Sequence, residues 1–315
     1  MTNLLHTRDA AAQELVELGK RHTELVLVEA DLGKSTKSYL FAREFPERYF
    51  QMGIAEQNQF GVAAGMAMSG KLPVVVGYSV FASMKACEQI RTFMAYPDLN
   101  IKIVASHGGL TAGNDGPTHQ AIEDLGIIRS IPNTIVVAPA DAIATRSLVR
   151  AAVEEIRGLV YIRLTRDPLP VIYKKGTKFT IGKAIEFRSG SDATIIAIGD
   201  MVNVAIKAAE ELEVDNISVR IIDMHTLKPL DKEIVIRAAQ ETHALISVED
   251  HNIYGGLGSA VAEVIAEECP GTSFKRVGIH DTFAESGEYH LLLKKYGLDV
   301  SNIKTAVKDV IKSKI

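Results

Sequence analysis

At about 150 residues per domain, a chain of 315 residues has room for two domains. Hydrophobic residues make up 47% and charged residues 23%, which fits a globular protein and excludes a disordered one. The formal net charge is -4, aromatics are 6% and Trp is absent, so neither charge nor stacking argues for nucleic acid or an anionic membrane as partner.

The start, Met1 to Arg8, lacks the apolar core of a signal peptide. Hydrophobic periodicity predicts a helix over 8–22, with Ala11, Leu15, Val16 and Leu18 on one side, then a buried strand over 24–30. A helix over 56–69 ends near Gly70 and a strand follows over 72–76. The longest apolar region, 61–84, is broken by Lys71 and Pro73, so no membrane span is expected. A helix over 81–96 is stopped by Pro97, and a strand over 101–106 leads into a Gly-rich loop reaching Pro117. A helix over 120–129, a strand over 134–138, a helix over 141–156 and a strand over 159–164 complete the first unit. Strands this apolar, alternating with helices, predict a parallel sheet covered on both faces.

The stretch 165–191 holds Pro168, Pro170, Gly176, Gly182 and Gly190 and reads as an interdomain linker. The alternation then restarts, with strands over 193–198, 217–222, 244–248 and 273–277 and helices over 200–212, 231–240, 257–268 and 300–313. The two cysteines, Cys87 and Cys269, form no CxxC pair, which argues against a disulfide scaffold or a Cys-based zinc site and fits a reducing cytosol.

Three segments have residues suited to chemistry. Glu56, in Gly53-Ile-Ala-Glu56-Gln-Asn, opens an apolar helix. A carboxylate there can simply cap the helix; in a buried setting it needs a partner or a proton, and can exchange that proton with a ring nitrogen. The loop from His107 to His119 is the densest polar constellation and sits at the carboxyl end of a predicted strand, where parallel sheets bind ligands. His119 and Asp115 suit acid–base work or the holding of hydroxyl groups, or else cap the next helix; the His spacing fits no standard zinc pattern, so no metal site is expected. Tyr254-Gly-Gly-Leu-Gly258 is not GxGxxG and reads as close helix–strand packing, while His225 and His251 read as structural. GxxxxGK[ST] is absent, which excludes a P-loop.

Taken together, six segments in order resemble the second half of transketolase, a thiamine diphosphate enzyme, over nearly the whole chain. They are Glu29-Ala-Asp31-Leu, Gly53-Ile-Ala-Glu56-Gln-Asn, Gly113-Asn-Asp115-Gly-Pro-Thr-His119-Gln, Leu164-Thr-Arg166, Lys228-Pro-Leu-Asp231 and Gly255-Gly-Leu-Gly-Ser-Ala260. The resemblance implies two doubly wound α/β domains in series: a pyrimidine-binding domain over 1–172, a linker over 173–190 and a transketolase C-terminal domain over 191–315. In the family the Glu matching Glu56 contacts the cofactor's pyrimidine N1′ across a subunit interface, and proton exchange there prepares the cofactor to attack a ketose carbonyl. The resemblance places Tyr78, where transketolases usually carry Phe, and Phe81 in the aromatic wall around the pyrimidine, and Asp31 among the cofactor contacts. It places Asp115 and His119 at substrate hydroxyls, and Arg8, Ser35, His107 and Arg166 in a sugar-phosphate cluster, with Glu56, His107 and His119 as the catalytic set.

The family's first domain holds the diphosphate through Mg²⁺ with a Gly-Asp-Gly motif, and Gly-Asp-Gly does not occur here. The chain thus resembles the smaller subunit of a split transketolase. The expected activity is ketol transfer between sugar phosphates in pentose phosphate metabolism, in the cytoplasm, with a separate diphosphate-binding subunit that carries the Mg²⁺. Self-association as a dimer within a heterotetramer is expected. The alternatives are an enzyme like deoxyxylulose-phosphate synthase, one like the β subunit of a 2-oxo acid dehydrogenase, or a non-catalytic regulatory paralogue. His107 together with Asp115-Gly-Pro-Thr-His119 favours transketolase.

Overall fold

A computed structural model describes residues 3–314. The strands, in chain order, are β1 (Leu4–Leu5), β2 (Leu25–Glu29), β3 (Tyr49–Gln51), β4 (Leu72–Tyr78), β5 (Lys102–Ser106), β6 (Thr134–Val137) and β7 (Leu159–Arg163). They continue with β8 (Leu169–Pro170), β9 (Ile185–Arg188), β10 (Ala193–Ala197), β11 (Val219–Asp223), β12 (Thr226–Lys228), β13 (Ala244–Asn252) and β14 (Ser273–Ile279). A seven-stranded sheet runs β12-β6-β7-β5-β4-β2-β3, parallel except for β12. A five-stranded sheet runs β14-β13-β10-β11-β9, parallel except for β9. β2, β5, β7, β10 and β11 are buried along their whole length. This follows from their continuous apolar runs, which only a sheet covered on both faces can use. The two α/β domains therefore stand in series, as expected.

Most predicted elements form, and the exceptions have physical reasons. The expected helix over 81–96 is broken into wide i→i+5 turns at Phe81–Lys85 and Ile90–Ala95 around Cys87–Gln89. The bonds Tyr96 N to Arg91 O, 3.0 Å, and Leu99 N to Met94 O, 2.9 Å, show that spacing. Such turns re-aim side chains and cluster at functional sites. The helix expected from Gln120 starts only at Asp124, because Ala121 is engaged in a reciprocal backbone pair with Gly109 at 2.8 and 3.2 Å. β9 lies inside the segment 173–190 and pairs with β11, so part of that segment belongs to the second sheet. β12 leaves the second unit and pairs with β6, which ties the two units together along one sheet edge.

Candidate active site

The carboxyl ends of adjacent strands β7, β5, β4 and β2 bring together residues that lie far apart in sequence. His107 follows β5, Tyr78 closes β4, Ser35 follows β2 and Arg166 follows β7. Arg8 joins them from the first turn of the helix Thr7–Arg21, and its Nη1 donates to the Ser35 carbonyl at 3.0 Å. The Tyr78 hydroxyl donates to Ser35 Oγ at 2.7 Å. His107 is fully buried in the left-handed region, with φ +63°, and its ring stacks on Tyr78 at 3.8 Å between centroids. Ser106 Oγ lies 2.9 Å from Nδ1 and Ser35 Oγ 3.4 Å from Nε2, so each ring nitrogen has a hydroxyl partner. Burial pushes the His107 pKa down to about 3, and the Arg8 and Arg166 guanidiniums add to the shift. The imidazole is therefore neutral at physiological pH. Burial also lowers the Arg8 pKa, against the pull of Asp9 and with help from Arg166.

Among the described residues Arg8 Nε is a buried donor without a partner. Arg166 Nη1 donates to the Ala112 carbonyl at 2.7 Å and lies 3.6 Å from Asp115 Oδ2. Arg8 and Arg166 lie close enough to His107 to act on it electrostatically, so two guanidiniums, a neutral imidazole and a serine hydroxyl gather at neighbouring strand ends. That donor set suits a phosphate-sized anion. A groove of about 440 Å³ lined by Gly113, Asn114, Arg166, Gly287 and His290 opens beside it.

His119 meets Phe81 edge-on at 5.3 Å and Tyr78 at 6.3 Å, and its Nδ1 lies 2.9 Å from Thr118 Oγ1. Asp115 and His119 do not cap the helix Asp124–Ser130, which has no side-chain cap. Tyr78 and Phe81 run nearly parallel, 5.7 Å apart and 16° off plane. Glu56 is buried at the start of the helix Glu56–Met68 and does not act as its N-cap. Its Oε1 accepts from Lys85 Nζ at 3.0 Å, and the same ammonium sits 4.1 Å over the Phe81 ring. Lys85 thus links Glu56 to the aromatic pair. Sequence reasoning missed it, although its place four residues after Phe81 on a helical segment was a signal. Asp31, exposed after β2 at φ +58°, accepts from Gln51 Nε2 at 3.1 Å.

The pyrimidine ring of thiamine diphosphate fits this arrangement. A buried carboxylate beside parallel aromatic rings offers an acceptor for a ring N–H and a stacking surface. Its present partner, Lys85, is a half-exposed amine. Among the described residues no group of three or more His, Cys, Asp or Glu is placed to hold a metal.

A family model described as the pyrimidine-binding domain of transketolase matches residues 4–171, and one described as the transketolase C-terminal domain matches 182–303. The chain belongs to the transketolase family. It corresponds to the C-terminal half of these enzymes. It is 45% identical over 307 residues to a Methanocaldococcus jannaschii protein that bears the name of a transketolase C-terminal section, covering 97% of this chain and 96% of that one. It is 40% identical to the 6-deoxy-6-sulfo-D-fructose transketolase subunit SqwH of a Clostridium species, covering 98% and 95%. Among solved structures, a split-gene transketolase described as an inactive β4 tetramer superposes with a TM-score of 0.92 at 45% identity, over 99% of this chain and 100% of that one.

The other motifs of this transketolase-family chain are accounted for by packing. The turn Tyr254–Gly258 does make an anion hole at the start of the helix Leu257–Glu268, but the chain fills it itself. Glu249 accepts from Leu257 N and Gly258 N, both at 2.7 Å, and a Cβ at Gly256 would overlap its carboxylate. His251 is fully buried, with Gly126 N donating to Nε2 at 3.3 Å and Nδ1 donating to the Asn252 carbonyl at 2.6 Å. His225 is buried beside Phe179. No helix among the described residues is long and apolar enough to cross a membrane.

Proposed function

We propose that this chain is one subunit of a two-chain, thiamine diphosphate-dependent transketolase that moves a two-carbon ketol unit between sugar phosphates in the cytoplasm. The observation that supports this reading is the link of Arg8 and His107 through Ser35, with Arg166 close enough to act on both and the Glu56–Lys85 pair beside Phe81. A separate diphosphate-binding subunit supplies the Mg²⁺ and the rest of the site, in a heterotetramer. In support of that partner, Ile54, Met84 and Phe93 are exposed on the elements flanking Glu56. The similar structure described as an inactive β4 tetramer also fits a subunit that does not turn over alone. In domain terms, residues 1–172 are the pyrimidine-binding part and 191–315 the C-terminal part, with 173–190 the connection apart from β9, which joins the second sheet.

When bound, thiamine diphosphate supplies the nucleophile that attacks the ketose carbonyl. The chain's own residues position the reactants and handle protons. Glu56 holds a proton at the pyrimidine N1′ once Lys85 gives up its carboxylate. Phe81, with Tyr78 beside it, would give the ring a stacking surface, and Asp31 is assigned to the cofactor contacts. Arg8 and Arg166 clamp the substrate phosphate, and Ser35 and neutral His107 add hydrogen bonds without adding charge. Asp115 accepts from substrate hydroxyls, and His119 is placed for acid–base transfer on them.

The test uses hydroxypyruvate as donor and ribose 5-phosphate as acceptor. The purified chain alone is expected to give no ketol transfer, and the chain with its partner subunit to give it. Glu56→Ala is expected to abolish turnover in the complex. Strong activity of the isolated chain sinks the two-subunit reading, and unchanged turnover in Glu56→Ala sinks the role of Glu56.

A further inference from the structure

The loop that carries His107, Asp115 and His119 is held by the other domain. Both carboxylate oxygens of Asp250, on β13, accept from the Leu110 N–H, at 2.9 and 3.1 Å, across 140 residues of sequence. The Asp250 carbonyl accepts from Arg163 Nη2 at 2.7 Å, and that same nitrogen donates to the Ala121 carbonyl at 3.0 Å. Asn252 N donates to the Ile122 carbonyl at 2.8 Å, and Gly126 N to His251 Nε2 at 3.3 Å. The end of β13 therefore runs along the loop and its exit as a template. The fit is tight. A Cβ at Gly109, which has φ +60°, would overlap the Asp250 carboxylate, and a Cβ at Gly108 would overlap the Arg163 guanidinium. His107 precedes these glycines in a left-handed conformation that non-glycine residues rarely hold without support from their surroundings.

We infer that Asp250 is a positioning residue for the substrate loop, through which the C-terminal domain sets sugar-phosphate affinity without touching the substrate. Asp250 is buried, and Arg163 at the end of β7, itself buried and paired with Asp124 at 3.1 Å, donates to the Asp250 carbonyl. Removing the carboxylate frees the Leu110 N–H and the turn at 107–109, and the phosphate ligands then spend less time in register. This inference rests on the proposed function for its kinetic part only.

The test has two arms. In the isolated full chain, Asp250→Ala, which removes both acceptors, is compared with wild type by amide hydrogen exchange, with Glu249→Ala as the control for loss of a neighbouring buried carboxylate. Exchange over 108–116 is expected to rise at least tenfold in Asp250→Ala, with β10 and β11 unchanged and the loop undisturbed in Glu249→Ala. Unchanged loop exchange, or an equal rise in β10 and β11, overturns the inference. In the complex with the partner subunit, the KM for ribose 5-phosphate is expected to rise about tenfold with kcat changed less than threefold, and the KM for unphosphorylated ribose to move little. Equal shifts for the two acceptors, or none, overturn it. A wild-type complex without ketol transfer removes the proposed function and leaves the exchange arm to decide on the loop.

Discussion

At the scale of single residues, the site depends on keeping His107 neutral. The unfolded chain takes up its proton near the ordinary value of 6.5, the folded one only near about 3. Between those values the unfolded state binds more protons, so stability falls as pH falls and the full cost is reached below about 3. The total for this one group is about 5 kcal/mol at most. Replacing it as His107→Asn keeps a residue that tolerates the left-handed conformation and removes the titration. Urea unfolding between pH 7 and pH 4 should then show a shallower loss of stability. His225, whose pKa burial pushes down to about 4, keeps part of the slope. An identical slope in the variant rejects the assignment. Glu56 illustrates the opposite case. Its position at a helix start was legible as capping, and its actual pairing with Lys85 depends on a wide helical turn that no local pattern announces.

At the scale of elements, buried carboxylates fasten segments to one another. Asp141 is fully buried. One oxygen accepts from Ala144 N at 2.7 Å as N-cap of the helix Ala142–Glu154, and the other accepts from Ile172 N and Tyr173 N, both at 2.9 Å. Loss of a cap costs about 1 kcal/mol, and stranding buried N–H groups adds about 1–3 kcal/mol. Asp141→Ala should therefore lower stability by about 3 kcal/mol, read as a reduced urea midpoint. A loss below about 1 kcal/mol shows that water replaces the carboxylate there. The sequence predicts Asp141 as the first residue of the helix over 141–156, and the structure makes it the cap instead. Its second job, holding the chain where it leaves the first domain, was not visible in sequence.

At the scale of the molecule, the two domains share a buried polar seam. Arg163 pairs with Asp124, Tyr161 donates to the same Asp124 oxygen at 2.8 Å, and Asp250 and Asp200 lie close enough to act on the same guanidinium. Burial raises the pKa of Asp250, and the neighbouring Asp200 raises it further. Removing this guanidinium leaves the buried Asp124 without its ion-pair partner, which costs about 3–5 kcal/mol. Arg163→Met should show that loss by denaturant unfolding, together with faster proteolysis within 173–190 as the domains part. Unchanged proteolysis alongside the lost stability places the effect within the first domain alone. β12 adds a backbone tie to the same junction, and Lys228 on it donates to the Arg129 carbonyl at 3.0 Å.

The amino-acid sequence by itself determined the two α/β units, the succession of buried strands along the chain and the residue types at the strand ends, while the order of strands within each sheet came from the structure. Each of these rests on local apolar runs and on motifs a few residues long, and both are complete within one segment. β3, β9 and β12 escaped because they are short and two of them are polar, so they carry no apolar run of their own and form only against a neighbour already in place. The resemblance groups Arg8, Ser35, His107 and Arg166, but only the tertiary structure decided that Tyr78 joins them through Ser35, that His107 loses its charge and that Asp250 grips the loop. Those outcomes depend on desolvation and on hydrogen bonds spanning up to 140 residues, and such contacts leave no mark on either partner's immediate sequence.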